Sequence, residues 1–316
     1  MKKSIVKAVA IGLLGTSLLV GCSSQSGKSS SSSSNGSAKH AIGFAVSTLN
    51  NPFFVAMRDG AQKEADSKGV NLIVNDGNND AAKQLSQIQD LIQQKVEAII
   101  LNPVSSQSLT SAVQMANKAN IPVITLDRSV DGGKIATFIA SDNVAAGKMA
   151  ADQLIKALNG NGKVVELQGV IGTSAERDRE QGFDKEIATA KGIQIVAKQP
   201  ADFDRSKALN VMQNILQSQP DVKGIFAQND EMALGALKAV QASNKKDISI
   251  IGIDGEKEAI SNVQNGTMYA DIAQQPAQEG VLGVDNSLKL INKETVKASI
   301  PSPLQLVNKG TDFAGF

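Results

Sequence analysis

From residue 40 onward, short runs of β-branched residues alternate with stretches whose apolar residues recur every three or four positions. The runs at 41–48 (AIGFAVST), 70–76 (VNLIVND), 97–102 (EAIILN) and 121–126 (IPVITL) read as strands. The segments between them predict helices over 52–67, 81–94 and 109–119. Asn51 is a good N-cap with Pro52 at the first helical position, and Leu85, Ile88, Leu91 and Ile92 fall on one helix face. The second half repeats this rhythm. Strands at 162–169, 192–198, 223–228, 247–253 and 267–273 alternate with helices over 175–190, 206–218, 231–242, around Ile260, and over 277–291. Such alternation predicts an α/β fold of parallel sheets with right-handed crossovers. Runs such as PVITL and IIGI are near-continuously apolar, as strands buried on both faces must be.

The two halves echo one another. Asn102 closes one strand and Asp127 closes another 25 residues on; Asn229 and Asp254 do the same, again 25 apart. Matched residue types at matched strand ends point to two similar domains. Ligands of open parallel sheets bind beyond the carboxyl ends of the strands. The residues there are Asn50, Asn51, Asn102, Asp127, Arg128, Ser141, Asp142, Arg177, Arg179, Phe203, Asp204, Arg205, Gln228, Asn229, Asp230, Asp254 and Gln274. Neither G-x-G-x-x-G nor G-x-x-x-x-G-K-[ST] follows a strand, so a nucleotide site is not supported.

Composition narrows the chemistry. The 316 residues suit two domains rather than one. Lys plus Arg number 32 against 31 Asp plus Glu, which gives no electrostatic footprint for nucleic acid. One His (His40), one Cys (Cys22) and no Trp exclude a Ser-His-Asp or Cys-His hydrolase, a zinc site and a disulfide framework. What remains at the strand ends is a set of guanidiniums, carboxylates and amides. Arg128 and Arg179 offer planar forks of donors, Asp127 and Asp254 offer acceptors, and Asn51, Asn229 and Gln274 offer both. Such alternation fits a neutral polyol, whose hydroxyls both donate and accept. Two carboxylates disfavour an anion, and two arginines a cation. Phe53, Phe54 and Phe203 lie beside this set, where their rings can carry the C–H faces of a sugar; equally, Phe53 and Phe54 can be helix core and Phe203 a loop anchor. Arg177 and Asp178 read as a solvated helix face, and Asp204 and Arg205 as a local pair at a helix start. A glycosidase needs two suitably spaced carboxyls. Here Asp127 and Asp254 each neighbour arginine or amide groups, which suits hydrogen bonding rather than acid catalysis, so no enzyme activity is expected.

The first 21 residues read as an export signal. Lys2, Lys3 and Lys7 precede fourteen uncharged residues, Ala8 to Gly21, too short for a bilayer span. Leu19-Val20-Gly21-Cys22 resembles a bacterial lipobox, which implies cleavage before Cys22 and lipidation of its thiol. Without the three lysines, 29 basic residues face 31 acidic ones. Residues 22–40 then form a lipidated, serine-rich tether, with ten serines between Ser23 and Ser37 and a reach of roughly 20–25 Å as a flexible coil.

The strings STLNNPFF (47–54), IPVITLDR (121–128), IASDN (139–143), ELQGVIGTSAERDR (166–179), QPADFDR (199–205), NVMQN (210–214), FAQNDEMALGAL (226–237) and DIAQQP (271–276) resemble those of the ribose-binding proteins of bacterial ABC importers, within the periplasmic binding protein superfamily. The resemblance runs from Ala41 to about Val307. It implies two similar Rossmann-like lobes with parallel sheets joined by a three-segment hinge, the type I arrangement. The crossings would fall near Ser141-Asp142, Gln274-Gln275 and 301–303, giving a first lobe of 41–141 plus 275–302 and a second of 142–274 plus 303–316. It further implies that Asn51, Asp127, Arg128, Arg179, Asn229, Asp254 and Gln274 hydrogen-bond the sugar and that Phe53, Phe54 and Phe203 sandwich its ring. Asn102 is not implicated and reads as a loop or strand-end cap. Ile253 stands where ribose binders often carry Phe, so an aromatic edge is lost from the pocket wall. The implied function is capture of D-ribose by hinge closure and delivery to an ABC permease with its ATPase, by a monomer lipid-anchored on the outer face of the cell membrane. No cofactor, metal or nucleic acid is implied. The alternatives are another pentose or hexose, or a sugar sensor for chemotaxis or signalling.

Overall fold

The structure, a computed structural model, describes residues 40–316. The export signal, Cys22 and nearly all of the tether lie outside the described residues. Among the described residues no helix is long and apolar enough to cross a membrane.

Two six-stranded sheets share one plan. In the first, β1 (His40–Val46) pairs in parallel with β2 (Val70–Asp76) and β3 (Ala98–Leu101); β4 (Val123–Leu126), β5 (Thr137–Ser141) and β11 (Ser299–Ser302) extend it, giving the order β2-β1-β3-β4-β5-β11. In the second, β6 (Asn161–Gln168), β7 (Gly192–Pro200), β8 (Val222–Ala227), β9 (Ser249–Asp254), β10 (Ala270–Ala273) and β12 (Gln305–Asn308) take the order β7-β6-β8-β9-β10-β12. The plan departs from parallel pairing at one place: β12 runs antiparallel to β10. The chain enters the second lobe after Ser141, returns to the first between Ala273 and Pro276, and crosses again between Ser302 and Gln305.

Helices cover both faces of each sheet. In the first lobe α1 (Pro52–Lys68) and α9 (Pro276–Ile291) bury Phe44, Met57, Ile124 and Val284 on one face; α2 (Ala81–Gln93) and α3 (Thr110–Lys118) bury Ile88, Leu91, Ile99 and Val113 on the other. In the second lobe α4 (Asn143–Ala157) and α5 (Ser174–Ile187) cover a face where Phe183 stacks on Phe226 at 4.4 Å between ring centroids. The opposite face carries α6 (Arg205–Ser218), α7 (Asp230–Ala242) and α8 (Lys257–Asn265) over Met212, Leu234 and Ile250.

Four elements went unforeseen in the sequence pattern. β5 and α4 follow one another over 137–157, and β11 and β12 are short edge strands. α4 is rich in Ala and buries Ala146, Gly147, Ala150 and Ala151 along with Asn143 and Gln153, so its polar–apolar contrast is weak. β11 contains Pro301 and is half exposed, as an edge strand tolerates.

Two helix pairs approach closely at glycines, and both carry site residues. A Cβ on Gly60 would meet the Ala277 carbonyl and one on Gly280 the Met57 carbonyl, where α1 crosses α9. A Cβ on Gly147 would meet the Arg179 carbonyl and one on Gly182 the Val144 carbonyl, where α4 crosses α5. Backbone, unlike a side-chain tip, cannot swing aside, so a methyl group there must part the helices. Gly182→Ala is therefore expected to lower the unfolding free energy by about 1–3 kcal/mol, read as a reduced urea midpoint at unchanged m-value.

Candidate functional site

The carboxyl ends of the two sheets face each other, and the polar residues there are held by local structure. Asn51 caps α1, its Oδ1 accepting from Phe53 N at 2.9 Å, which fixes Phe53 and Phe54 in the first helical turn. Asn229 caps α7 in the same way, accepting from Met232 N at 3.0 Å. Asp127 and Arg128 follow β4, Asp254 ends β9, Gln274 follows β10, Arg179 lies in the second turn of α5, and Phe203 precedes α6. Asp127, Phe203 and Asp254 all have positive φ, at 61°, 57° and 146°, a conformation side chains seldom adopt and one found where function holds the backbone. Gly169 leaves room for the Phe203 ring, which occupies the place of a Cβ there.

Nine of the ten sequence-predicted ligand residues line one cavity between the lobes: Asn51, Phe53, Phe54, Asp127 and Arg128 from the first, and Arg179, Phe203, Asn229 and Asp254 from the second, joined by Ala175. The free space between its atoms, its mouth included, is about 250 Å³. Gln274 lies behind the wall, donating through Nε2 to Asp254 Oδ1 at 2.8 Å. The lobes touch directly beside the cavity: Ser129 N donates to Ser174 Oγ at 2.8 Å and Ser174 N to Ser106 Oγ at 3.1 Å.

The charges balance within the protein. Arg128 Nε lies 3.3 Å from Asp127 Oδ2, and Arg179 Nη1 3.8 Å from Asp254 Oδ1, each partner no more than 7% exposed. Asn229 Nδ2 donates to Asp254 Oδ2 at 3.4 Å. Burial pushes the Asp254 carboxyl well above its usual range, with Arg179 opposing that rise. Burial likewise lowers the Arg128 guanidinium, which Asp127 partly offsets. Arg128 lies over Phe54 at 5.0 Å and over Phe203 of the opposite lobe at 5.3 Å, close enough for the ring quadrupoles to attract it. Phe53 and Phe54 prove to be both core and cavity wall: they stack edge-on at 5.3 Å, belong to the first lobe's core and face the cleft. Phe203 packs on the second lobe's core while lining the cavity.

The groups are held in place by residues to which the sequence pattern assigns no such supporting role. Asn102, fully buried, donates to Asp127 Oδ2 at 3.1 Å and accepts from Ser47 N. Asn143 accepts from Arg179 Nε at 2.8 Å, and the Gln228 carbonyl accepts from Arg179 Nη1. The Gln228 amide in turn donates to Glu166, whose carboxyl burial raises to about 7. Asp230 accepts from the Gly255 and Glu256 amides at 2.9 and 2.7 Å, fixing the loop behind Asp254. Amides one residue from a strand end carry a signal for such roles, but the pattern does not separate prop from ligand. Arg177 is exposed and sits 3.8 Å from Asp131; Asp204 caps α6 and Arg205 pairs with Glu231, Glu256 and Glu258. Among the described residues, no group of three or more His, Cys, Asp or Glu is placed to hold a metal ion.

Residues 42–295 match the family model described as a periplasmic binding protein domain. The chain belongs to that family. It is 50% identical to the ribose import binding protein RbsB of Escherichia coli over 277 residues, 88% of this chain and 93% of the relative, and 44% identical to that of Bacillus subtilis over 97% and 99%. A solved ABC transporter solute binding protein from Mycobacterium smegmatis, with bound glycerol, superposes with a TM-score of 0.83 at 35% identity, covering 88% of this chain and 99% of that one. The twin lobes with mostly parallel sheets are the family's type I sugar-binding architecture.

In this family member, the loop behind Asp254 rests on a carboxylate pair. Asp230 is pushed well above its usual range by burial and by Asp271 beside it, while Asp271 rises from 3.8 to about 6 through burial. A folded-state value above the unfolded one means that the stabilisation is complete below about pH 4 and is lost as pH climbs to about 6. Asp271→Asn keeps an acceptor without the charge. Its unfolding free energy relative to the wild type is expected to improve by roughly 1–3 kcal/mol between pH 4 and pH 7, as denaturation at a series of pH values would show.

Proposed function

We propose that this chain captures D-ribose by closing its two lobes on the sugar and presents it to an ABC permease and its ATPase. The observation that carries this reading is the cavity whose two walls come from different lobes and whose donors, acceptors and three rings suit a neutral polyol. The names of the relatives add ribose as the sugar and import as the purpose. On this reading Asn51, Asp127, Arg128, Arg179, Asn229 and Asp254 hydrogen-bond the hydroxyls, Phe53, Phe54 and Phe203 flank the ring, and Gln274 orients Asp254. A ligand bonded to both walls favours the closed form over the open one. Shifting that equilibrium from 1:99 to 99:1 takes about 5.5 kcal/mol, which several charge-assisted bonds at about 1.5–3 kcal/mol each supply. The sugar leaves unaltered, because the carboxylates are tied to arginines and amides.

Calorimetry over a panel of pentoses and hexoses tests the reading, with ribose expected to bind most tightly. Arg179→Ala is expected to weaken ribose at least tenfold, about 1.4 kcal/mol, at an unchanged circular dichroism spectrum. Wild-type affinity in that variant would remove Arg179 from the site.

The proposal includes export and anchoring through Cys22. Several acyl chains, at about 0.8 kcal/mol per buried CH₂, hold a protein to a bilayer where one is marginal. Cells fed a labelled fatty acid should label the wild type and leave Cys22→Ser unlabelled and released from the membrane fraction. Equal labelling of both would place the anchor elsewhere.

A further inference from the structure

The segment after β12 ties the two lobes together beside the crossing at Ala273, where a Cβ on Gly255 would meet both Ala273 and Phe313. Phe313 packs on the second lobe's core, on the face covered by α6, α7 and α8. Three residues on, Phe316 packs on the first lobe's core, on the face covered by α1 and α9. Between them the backbone is pinned to the loop that follows Asp254: Phe316 N donates to the Gly255 carbonyl at 3.2 Å, and Lys257 N donates to the Phe316 carbonyl at 3.3 Å. Gly315 has φ 75°, and a Cβ there would lie 2.8 Å from Lys257 Cα. A side chain at 315 would therefore lift the segment off its seat. From that seat the Phe316 ring reaches Phe53, edge-on at 6.0 Å and 77°, and Phe53 lines the cavity.

We infer that residues 311–316 are a closure strap, in which Phe316, carried by the second lobe, seats against Phe53 of the first and holds the cleft shut on its ligand. The inference rests on the proposed capture of a sugar by closure. The strap's own hydrogen bonds stay within the second lobe, and the polar lobe-to-lobe contacts lie elsewhere: Ser106 and Ser129 with Gly172 and Ser174 near the start of α5, and Arg177 with Asp131. The strap supplies a contact on the α1 and α8 side. Phe316 is a positioning residue: it acts on the sugar through Phe53 and through the loop of Asp254. Loss of that edge-on contact is expected to speed release of the sugar roughly threefold to tenfold.

The test compares the full chain with Phe316→Ala, Phe316→Tyr and Gly315→Val. Ribose is expected to dissociate at least threefold faster from Phe316→Ala and Gly315→Val in stopped-flow displacement. Phe316→Tyr should keep the wild-type rate, and the sugar-free melting temperatures should stay together. A merely structural role would lower the sugar-free melting temperature and spare the rate. Hydrogen exchange on the wild type needs no variant: the amides of 311–316 should gain protection when ribose is added. Unchanged dissociation rates, or equal protection with and without sugar, would overturn the strap. Calorimetry of the wild type keeps the two ideas apart. If no pentose or hexose binds, the capture reading falls and takes the strap with it; if ribose binds and the variants release it at the wild-type rate, capture stands and the strap alone falls.

Discussion

Two guanidiniums and two carboxylates are shut away from water where the lobes meet, and that burial governs the rest of the site. Charges in such a place cost several kcal/mol each unless they are paired and hydrogen-bonded. Each lobe therefore brings its own neutralised pair, Asp127 with Arg128 and Asp254 with Arg179. The first pair does not use up its donors: Arg128 Nε has no hydrogen-bond partner within the protein. Closing the lobes over such groups is unfavourable by itself, since an unsatisfied buried polar atom costs about 1–3 kcal/mol. A molecule that both donates and accepts at every position removes that cost. An ion of either sign would instead unbalance one of the pairs. On the proposed reading, preference for an uncharged polyol thus follows from the balance of charges before any detail of shape.

The supports beneath those pairs determine how well they hold their places. Arg179 is set by Asn143 on α4 and by the Gln228 carbonyl, and α4 approaches α5 closely because Gly147 and Gly182 allow backbone against side-chain-free backbone. Asp254 is set by Gln274, by Asn229 and, through the following loop, by Asp230. Sites held within a fraction of an ångström need such an outer layer. Here it comes from helix crossings and buried amides rather than from the residues that face the cleft.

How far the site was legible in the chain follows from the same division. Residues at strand ends announce themselves, because runs such as PVITL stop abruptly at Asp127, and the resemblance to sugar binders selects among them. The cavity wall was thus anticipated in nine positions that the structure brings together. The props were not: Asn102 was read as a cap and Asn143 and Asp230 drew no role, since a buried amide looks the same in sequence whether it faces ligand or carboxylate. The fold was legible wherever β-branched runs alternate with amphipathic stretches. It failed over 137–157, where α4 is lined with alanine and buries polar residues too, and at β11 and β12, whose pairing depends on strands far away in the chain.

The internal echo carries more than architecture. Asn102 and Asp127 are 25 residues apart, as are Asn229 and Asp254, and each asparagine donates through Nδ2 to its aspartate's Oδ2, at 3.1 and 3.4 Å. Both aspartates take positive φ at the end of a strand. The same bond, on the same spacing, is thus used in both lobes to aim a carboxylate at the cleft. The lobes have since diverged around it. Asn102 is sealed behind Asp127 and also holds Ser47, whereas Asn229 caps α7 and reaches the cavity itself. Two copies of one strand-end device, turned face to face, make a ring of polar groups that neither copy completes alone. On the proposed reading, a site built that way forms only when the lobes meet, which would make binding and closure a single event.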